Sequence, residues 1–336
     1  MATIQAESNF AYHGLQTDSL AHGDAVKYII KEYLEGINFD RSLPATRDLE
    51  LESAVLTYFK SLNLGKKMEA SVQKVLKLSA TLAHRSYNSL PFENKVLCAV
   101  QFLYMFLVDD IAEEFMEDLR YFGQNFTLNN GHRHPLLHNF DKHLRYLARF
   151  YGPYSHSVII KSLFDYVNGR IIEHQMEQTN FKALSDSRLM PMFLRTKVGA
   201  AEILISMLWP RALFPEEEYL IQYFPAIQEL VLFVDFTNDI LSYYKEFCIH
   251  DEKGNFVANF AQTHGMSHLD VLKHLASYTP QVIQSVYKTF RDKEDLLKSV
   301  QNFVNGWVML CTAHRRYHLV ELFGDEGYLQ PYDDES

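Results

Sequence analysis

VLCAVQFLYMFLVDDIAEEF, residues 96–115, decides the fold. From Val96 to Val108 thirteen residues are apolar except Gln101, and acid follows at once in Asp109, Asp110 and Glu113. The run is shorter than the ~18–20 apolar residues that span a bilayer. It reads as a buried helix with an acidic end. The same helical spacing extends outward on both sides. Val26, Ile29, Ile30, Tyr33 and Leu34 follow Asp24, a candidate N-cap, and Leu51, Ala54, Val55, Tyr58, Phe59 and Leu62 repeat the pattern. Further helices are expected over 66–87, from Pro91 past Asp110, and over 135–150, 153–178 and 188–208. The stretch 216–248 reads as helical with an interruption near Pro225. Ser267 and Asp270 form a capping-box pattern, Pro280 is expected to open a helix, and a last long helix is expected over 294–323.

No run of alternating polarity competes with this spacing, so the expected class is all-α. Gly is 14 and Pro 10 of 336 residues, below their usual shares of about 7% and 5%, which fits long helices. The expected organisation is a loose N-terminal arm (1–20), a single all-α domain (21–325) and an acidic C-terminal tail (326–336), with two stacked helical domains as the alternative. The hydrophobic fraction of 47% supports a sizeable core. Lys+Arg 32 against Asp+Glu 42 gives a net charge of −10, which disfavours nucleic acid and anionic membrane as partners. Cys98, Cys248 and Cys311 are too scattered for a disulfide framework, so a reducing compartment is expected, the cytoplasm. MATIQAESNF lacks a basic region followed by an apolar run, so no signal peptide is expected.

Two acidic constellations carry the chemistry. Asp109 and Glu113 are spaced i, i+4, one turn apart on a helix, and carboxylates so close make sense with cations between them. By composition D-D-x-x-[DE] arises by chance in roughly one such chain in eight, so this motif alone decides little. The second is FVDFTNDILSYYKEF, residues 233–247. Asn238, Ser242 and Glu246 fall at i, i+4, i+8 and form one stripe on a helix. They offer an amide oxygen, a hydroxyl and a carboxylate, an all-oxygen set that suits Mg²⁺ shared with substrate phosphates. Lys245 stands beside Glu246 within reach of a phosphate. Chance would produce N-D-x-x-[ST]-x-x-K-E about once in a few thousand chains, so this motif carries the weight.

An aspartate-rich motif after an apolar helix, followed by an Asn/Ser/Glu motif over a hundred residues later, resembles the class I terpene synthases. DDIAE at 109–113, MEQTNF at 176–181, FLRTKVGAA at 193–201, NDILSYYKE at 238–246 and HRRYHL at 314–319 resemble, in order and spacing, the fungal trichodiene synthase family of sesquiterpene cyclases. The resemblance covers roughly 90–325. It implies a helical bundle around a central cavity and a farnesyl diphosphate substrate held by three Mg²⁺ ions. It assigns Asp109 as a bridge between two ions, with Glu113 in the same motif, and Asn238, Ser242 and Glu246 as ligands of the third. Glu177 falls where the family has an acidic residue near the metals. Arg195 matches the diphosphate-sensing arginine, Lys245, Arg316 and Tyr317 match diphosphate contacts, and Asp110 matches the partner of Arg316 in the closed site. Gly199 matches a helix break whose carbonyl faces the substrate. Glu113 and His314 depart from close relatives, which leaves the product open. A homodimer is a family expectation.

Phe102, Met105 and Phe106 lie one to two turns before Asp109 and are candidate pocket lining for a carbocation, with Trp307 and Tyr243 behind them. The segment GHRHPLLHNFDKH contains His132, His134 and His138; His134 and His138 have zinc-pair spacing, but nothing completes the set, and a surface histidine cluster is the expectation. The rival functions are a chain-elongating prenyltransferase, which would want a second D-D-x-x-D motif, and a non-catalytic helical binding protein. No second such motif is present.

Overall fold

A computed structural model of the chain describes residues 14–42, 46–252 and 254–330, with side chains from His22 onward except at Asp325. Among the described residues it is helical, with no strand. The elements are α1 (Gly14–Gly36), α2 (Leu49–Ser61), α3 (Lys66–Ser86), α4 (Phe92–Ile111), α5 (Met116–Leu119), α6 (Phe122–Leu128), α7 (Pro135–Leu147) and α8 (Pro153–Thr179). They continue as α9 (Met190–Val198), α10 (Ala201–Ser206), α11 (Glu216–Tyr223), α12 (Ile227–Tyr243), α13 (Phe256–His264), α14 (His268–Thr289), α15 (Glu294–Ala313) and α16 (Leu319–Phe323). Burial explains the centre. From Leu97 to Val108 α4 is buried all round except at Phe106, so it packs among α2, α3 and α7 as the innermost helix. Helix α12 packs on α10, α14 and α15, and α8 on α9 and α10.

Local chemistry sets the helix ends. Asp48 caps α2 by accepting from Leu51 N, and Asn255 caps α13 by accepting from Ala258 N. The capping box forms at α14: Ser267 Oγ accepts from Asp270 N and donates to Asp270 Oδ2 at 2.6 Å. Helix α8 has no cap of its own. Glu216, at the start of α11, supplies one from outside, its carboxylate accepting from Tyr154 N at 2.9 Å and Ser155 N at 2.7 Å. Glu216→Ala is expected to cost about 2 kcal/mol, read by equilibrium urea denaturation, because two backbone donors lose a charged acceptor.

Four boundaries differ from expectation. Helix α1 begins at Gly14, inside the stretch read as an arm, and Asp24 lies within it rather than capping it. Nothing between 14 and 24 interrupts helical hydrogen bonding: no proline is present, and Gly23 costs only about 1 kcal/mol. Residues 1–13 lie outside the described residues. Pro280 does not open a helix but sits inside α14. It removes one bond, to the Ala276 carbonyl, while the buried stripe Leu275, Ala276, Thr279 and Ile283 holds the helix through it. The tail starts anchored. Glu326 pairs with Lys27 at 2.8 Å and Lys31 at 2.7 Å, and Tyr328 stacks on Phe323. Asp333 and Asp334 lie outside the described residues. The last long helix ends at Ala313 and resumes as α16, with a turn between that enters the site described below.

His143 of α7 is buried against Tyr104 and Tyr58, and its Nε2 has no hydrogen-bond partner among the described residues. Burial pushes its pKa down from 6.5 to about 3. Below pH 6.5 the unfolded chain takes up a proton that the folded chain refuses. Stability is therefore complete above pH 6.5 and falls by about 1.4 kcal/mol per unit as pH drops toward 3. His143→Phe removes this term. The variant is expected to lose about 2 kcal/mol less than wild type between pH 6.5 and 5, measured by urea titration at each pH.

Candidate active site

The stripe on α12 comes first. Asn238 and Ser242 lie on regular α-helix, and Glu246 lies in a π-turn over Tyr244–Ile249 that continues it. In an α-helix residues four apart drift by about 40° around the axis. A π-turn, with its i→i+5 bonds, takes more residues per turn and cancels most of that drift. Glu246 is therefore brought closer in line with Ser242. Ser242 is 1% exposed and its Oγ has no hydrogen-bond partner among the described residues. A buried hydroxyl left unpaired between an amide and a carboxylate fits a cation ligand. Lys245 Nζ lies 3.3 Å from Glu246 Oε1, and Asn255 Nδ2 donates to Glu246 Oε2 at 3.3 Å.

Arg195, near the end of α9, is buried against the same helix. Its Nε lies 3.0 Å from Asp239, Nη1 lies 3.2 Å from Asp235 Oδ1, and Nη2 donates to the Asp235 carbonyl at 3.0 Å and to Asn238 Oδ1 at 3.5 Å. Burial pushes both carboxyls up, and Arg195 draws them back. One guanidinium serves both carboxyls, and burial favours the protonated form of whichever it does not neutralise. The helix breaks one turn after Arg195. Gly199 ends α9, and Ala200 takes φ +51° before α10 starts. A Cβ on Gly199 would overlap Asp235 Oδ1 and Arg195 Nη1, so glycine is what lets the break lie against the ion cluster.

Across the site stands the end of α4. Arg316 Nη2 lies 3.4 Å from Asp109 Oδ2, and its Nη1 lies 3.7 Å from Asp110 Oδ1. The next residue, Tyr317, is buried and its hydroxyl accepts from Asn238 Nδ2 at 3.4 Å. Consecutive residues of one turn thus join the two acidic constellations. His314 holds that turn, its Nδ1 accepting from Arg316 N at 3.2 Å. Burial, ahead of the nearby arginines, pushes its imidazole pKa down to about 4, so it stays neutral and able to accept. Burial also raises the Asp110 carboxyl, against the pull of Arg316.

Glu113, Glu177 and Tyr243 depart from their expected places. The α-helix stops at Ile111, and Glu113 lies in a 3₁₀ turn, exposed. The tighter turn rotates it farther from Asp109 than the i, i+4 rule assumed. Glu177 is exposed on the last turn of α8, whereas Glu173, one turn earlier, takes an ion pair from Arg170 at 2.6 Å. Arg170 in turn lies 3.4 Å from Asp109 Oδ1. Neither Arg170 nor Glu173 was read from the sequence. Tyr243 faces away from the stripe, its hydroxyl 3.1 Å from His22 Nε2 and 3.2 Å from His268 Nδ1. Phe102 is buried and meets Tyr87, the residue just past the end of α3, and Met105 is buried with its carbonyl accepting from Tyr166. Phe106 is half-buried, and Trp307 is buried with its indole Nε1 unpaired among the described residues. His132 pairs with Asp141 at 3.2 Å, and the His134 backbone donates to Asp118. Among the described residues no three of His, Cys, Asp or Glu group as a metal centre. A separate cleft of about 240 Å³ between α2 and α3, lined by Leu56, Phe59, Leu64, Met68 and Val72, shares no residue with this site.

The profile of the trichodiene synthase (TRI5) family matches residues 61–331. An (E)-beta farnesene synthase from Metarhizium brunneum is 27% identical over 310 residues, covering 92% of each chain. A trichodiene synthase from Paramyrothecium roridum is 23% identical over 269 residues, covering 80% of this chain and 68% of that one. Among solved structures, a linalool/nerolidol synthase from Streptomyces clavuligerus has a TM-score of 0.61 at 12% identity, covering 80% of this chain and 98% of that one. Hedycaryol synthase in complex with nerolidol has a TM-score of 0.58 at 12% identity, covering 84% and 97%. These structural likenesses show a shared all-α fold.

Proposed function

The chain belongs to the trichodiene synthase family, and on that premise we propose that it is an Mg²⁺-dependent sesquiterpene synthase that ionises farnesyl diphosphate and cyclises the resulting cation to a C15 terpene. The observation that carries the reading is the stripe Asn238, Ser242, Glu246, with the unpaired Ser242 hydroxyl buried at its centre. An allylic diphosphate leaves only if its charge is neutralised. When bound, three Mg²⁺ ions would supply that neutralisation as Lewis acids, held by Asp109 on one side and by Asn238, Ser242 and Glu246 on the other.

The chain's own residues do the rest. Arg195, Lys245, Arg316 and Tyr317 bind and orient the diphosphate through N–H and O–H donors. Asp110 and Asp109 hold Arg316 across the site and so tie α4 to the turn before α16, which excludes the water that would quench the cation. The face of α4 that carries Phe102, Met105 and Phe106 steers the cation through ring faces and a polarisable sulfur.

Arg316→Lys keeps the charge but loses the fork that spans both aspartates. It is expected to lower kcat/KM about tenfold and to raise the share of acyclic alcohols in the product mixture, read by gas chromatography. An unchanged profile and rate would remove the latch from the mechanism.

The test of function is incubation with geranyl, farnesyl and geranylgeranyl diphosphates, with and without Mg²⁺, reading products by gas chromatography–mass spectrometry. A cyclic C15 product that needs farnesyl diphosphate and Mg²⁺ supports the reading. An acyclic C15 product keeps ionisation and removes cyclisation. A longer prenyl diphosphate would mean chain elongation instead. No helix among the described residues is long and apolar enough to cross a membrane. A single catalytic domain, a cytoplasmic site of action and a homodimer complete the proposal.

A further inference from the structure

Two guanidinium groups share the carboxylate of Asp109. Arg316 faces Oδ2 at 3.4 Å, and Arg170, from the middle of α8, faces Oδ1 at 3.4 Å. Arg170 also donates from Nη2 to the Asp109 carbonyl at 3.4 Å. These contacts are long, whereas Nη1 meets Glu173 at 2.6 Å. Glu173 is therefore the firm partner and Asp109 the loose one. The Nε of Arg170 is buried and makes no directed hydrogen bond, so its approach to Asp109 is electrostatic and readily exchanged. The backbone beneath Arg170 is fixed: at Gly169 helix α8 lies on α9, where a Cβ would sit 2.8 Å from the Lys197 carbonyl. Glu173, three residues on, can keep Arg170 without any movement of the helix.

We propose that Arg170 competes with divalent cations for Asp109, and that the Arg170–Glu173 pair sets how tightly the substrate-free enzyme takes up metal. The proposal rests on the reading of Asp109 as a metal ligand. A cation that binds Asp109 needs the oxygens that the two guanidinium groups now face. Arg316 has a second carboxylate, Asp110, to hold it, and Arg170 has Glu173. Both can release Asp109, but at an electrostatic cost that a bare divalent ion meets less easily than one arriving with the negative diphosphate. Arg170 is thus a positioning residue. It makes metal uptake depend on substrate.

The experiment is Mn²⁺ binding to full-length, substrate-free protein, followed by electron paramagnetic resonance, with circular dichroism to confirm folding. Arg170→Gln is expected to bind Mn²⁺ about tenfold more tightly than wild type, and Arg170→Lys to stay near wild type. Glu173→Gln frees Arg170 to turn fully onto Asp109 and is expected to weaken binding several-fold. This opposite sign keeps the test decisive if Arg170→Gln fails to fold. Equal or weaker binding by a folded Arg170→Gln, or unweakened binding by Glu173→Gln, overturns the competition. Adding Asp109→Asn to Arg170→Gln is expected to erase the gain. A gain that survives it means that Mn²⁺ sits elsewhere, and the metal assignment of Asp109 falls instead.

Discussion

Asn238→Ala and Asp109→Ala are each expected to lower kcat/KM for farnesyl diphosphate by about 10²–10³-fold or more, with far-UV circular dichroism unchanged. The magnitude follows from what is removed. Ionisation of an allylic diphosphate has no protein nucleophile to share the work, so nearly all of the barrier lowering comes from charge placed against the leaving group. Asn238 stands one turn from Ser242 and touches both Arg195 and Tyr317. Its loss would remove a proposed metal ligand and loosen two donors together. Asp109 is the carboxylate whose two oxygens each face a different arginine. Neither residue belongs to the hydrophobic core, so the helical bundle should stand without it. Near-normal turnover in both variants would sink the metal assignment.

Gly199→Ala is expected to be nearly as damaging by another route. The added methyl overlaps the Asp235 carboxylate and the Arg195 guanidinium, and the backbone there is wedged between α9 and α10. Overpacking of this kind costs about 1–3 kcal/mol of stability. Relief would come by moving Arg195, the one group that holds Asp235, Asp239 and Asn238 together. A fall of a few degrees in melting temperature with loss of most turnover is the expected result, measured by calorimetry and product assay. A variant that melts early but turns over normally would show that the break is scaffold only.

Much of the bundle was legible because apolar period reports one thing well: which face of a helix is buried. The run before Asp109 gave α4, and the spacing of Asn238, Ser242 and Glu246 gave a stripe that the structure keeps together on one helix. Period does not report what a face meets. Tyr243 follows Ser242 directly, and one helical step turns it by about 100°, off the stripe and onto His22 and His268. Arg170 lies 61 residues from Asp109, and no spacing rule reaches across that gap. Asp235 and Asp239 were within reach, since i, i+4 carboxylates beside Asn238 ask for a cation, and Arg195 is that cation. Boundaries were lost where tertiary packing overrode a local signal, as at Pro280, or where a cap ended a helix early, as at His314.

The π-turn at Tyr244–Ile249 has a consequence for inheritance. Such a turn is what an α-helix becomes when it absorbs one surplus residue without breaking. Loss of a single codon before Glu246 in this stretch would let the backbone relax to ordinary α-helix with its hydrogen bonds intact. The carboxylate at the end of the stripe would swing out of line with Ser242. A one-residue deletion here is therefore expected to yield a protein that folds and accumulates yet loses most of its turnover. The same spot offers a lineage a reversible step between a working enzyme and a silent copy.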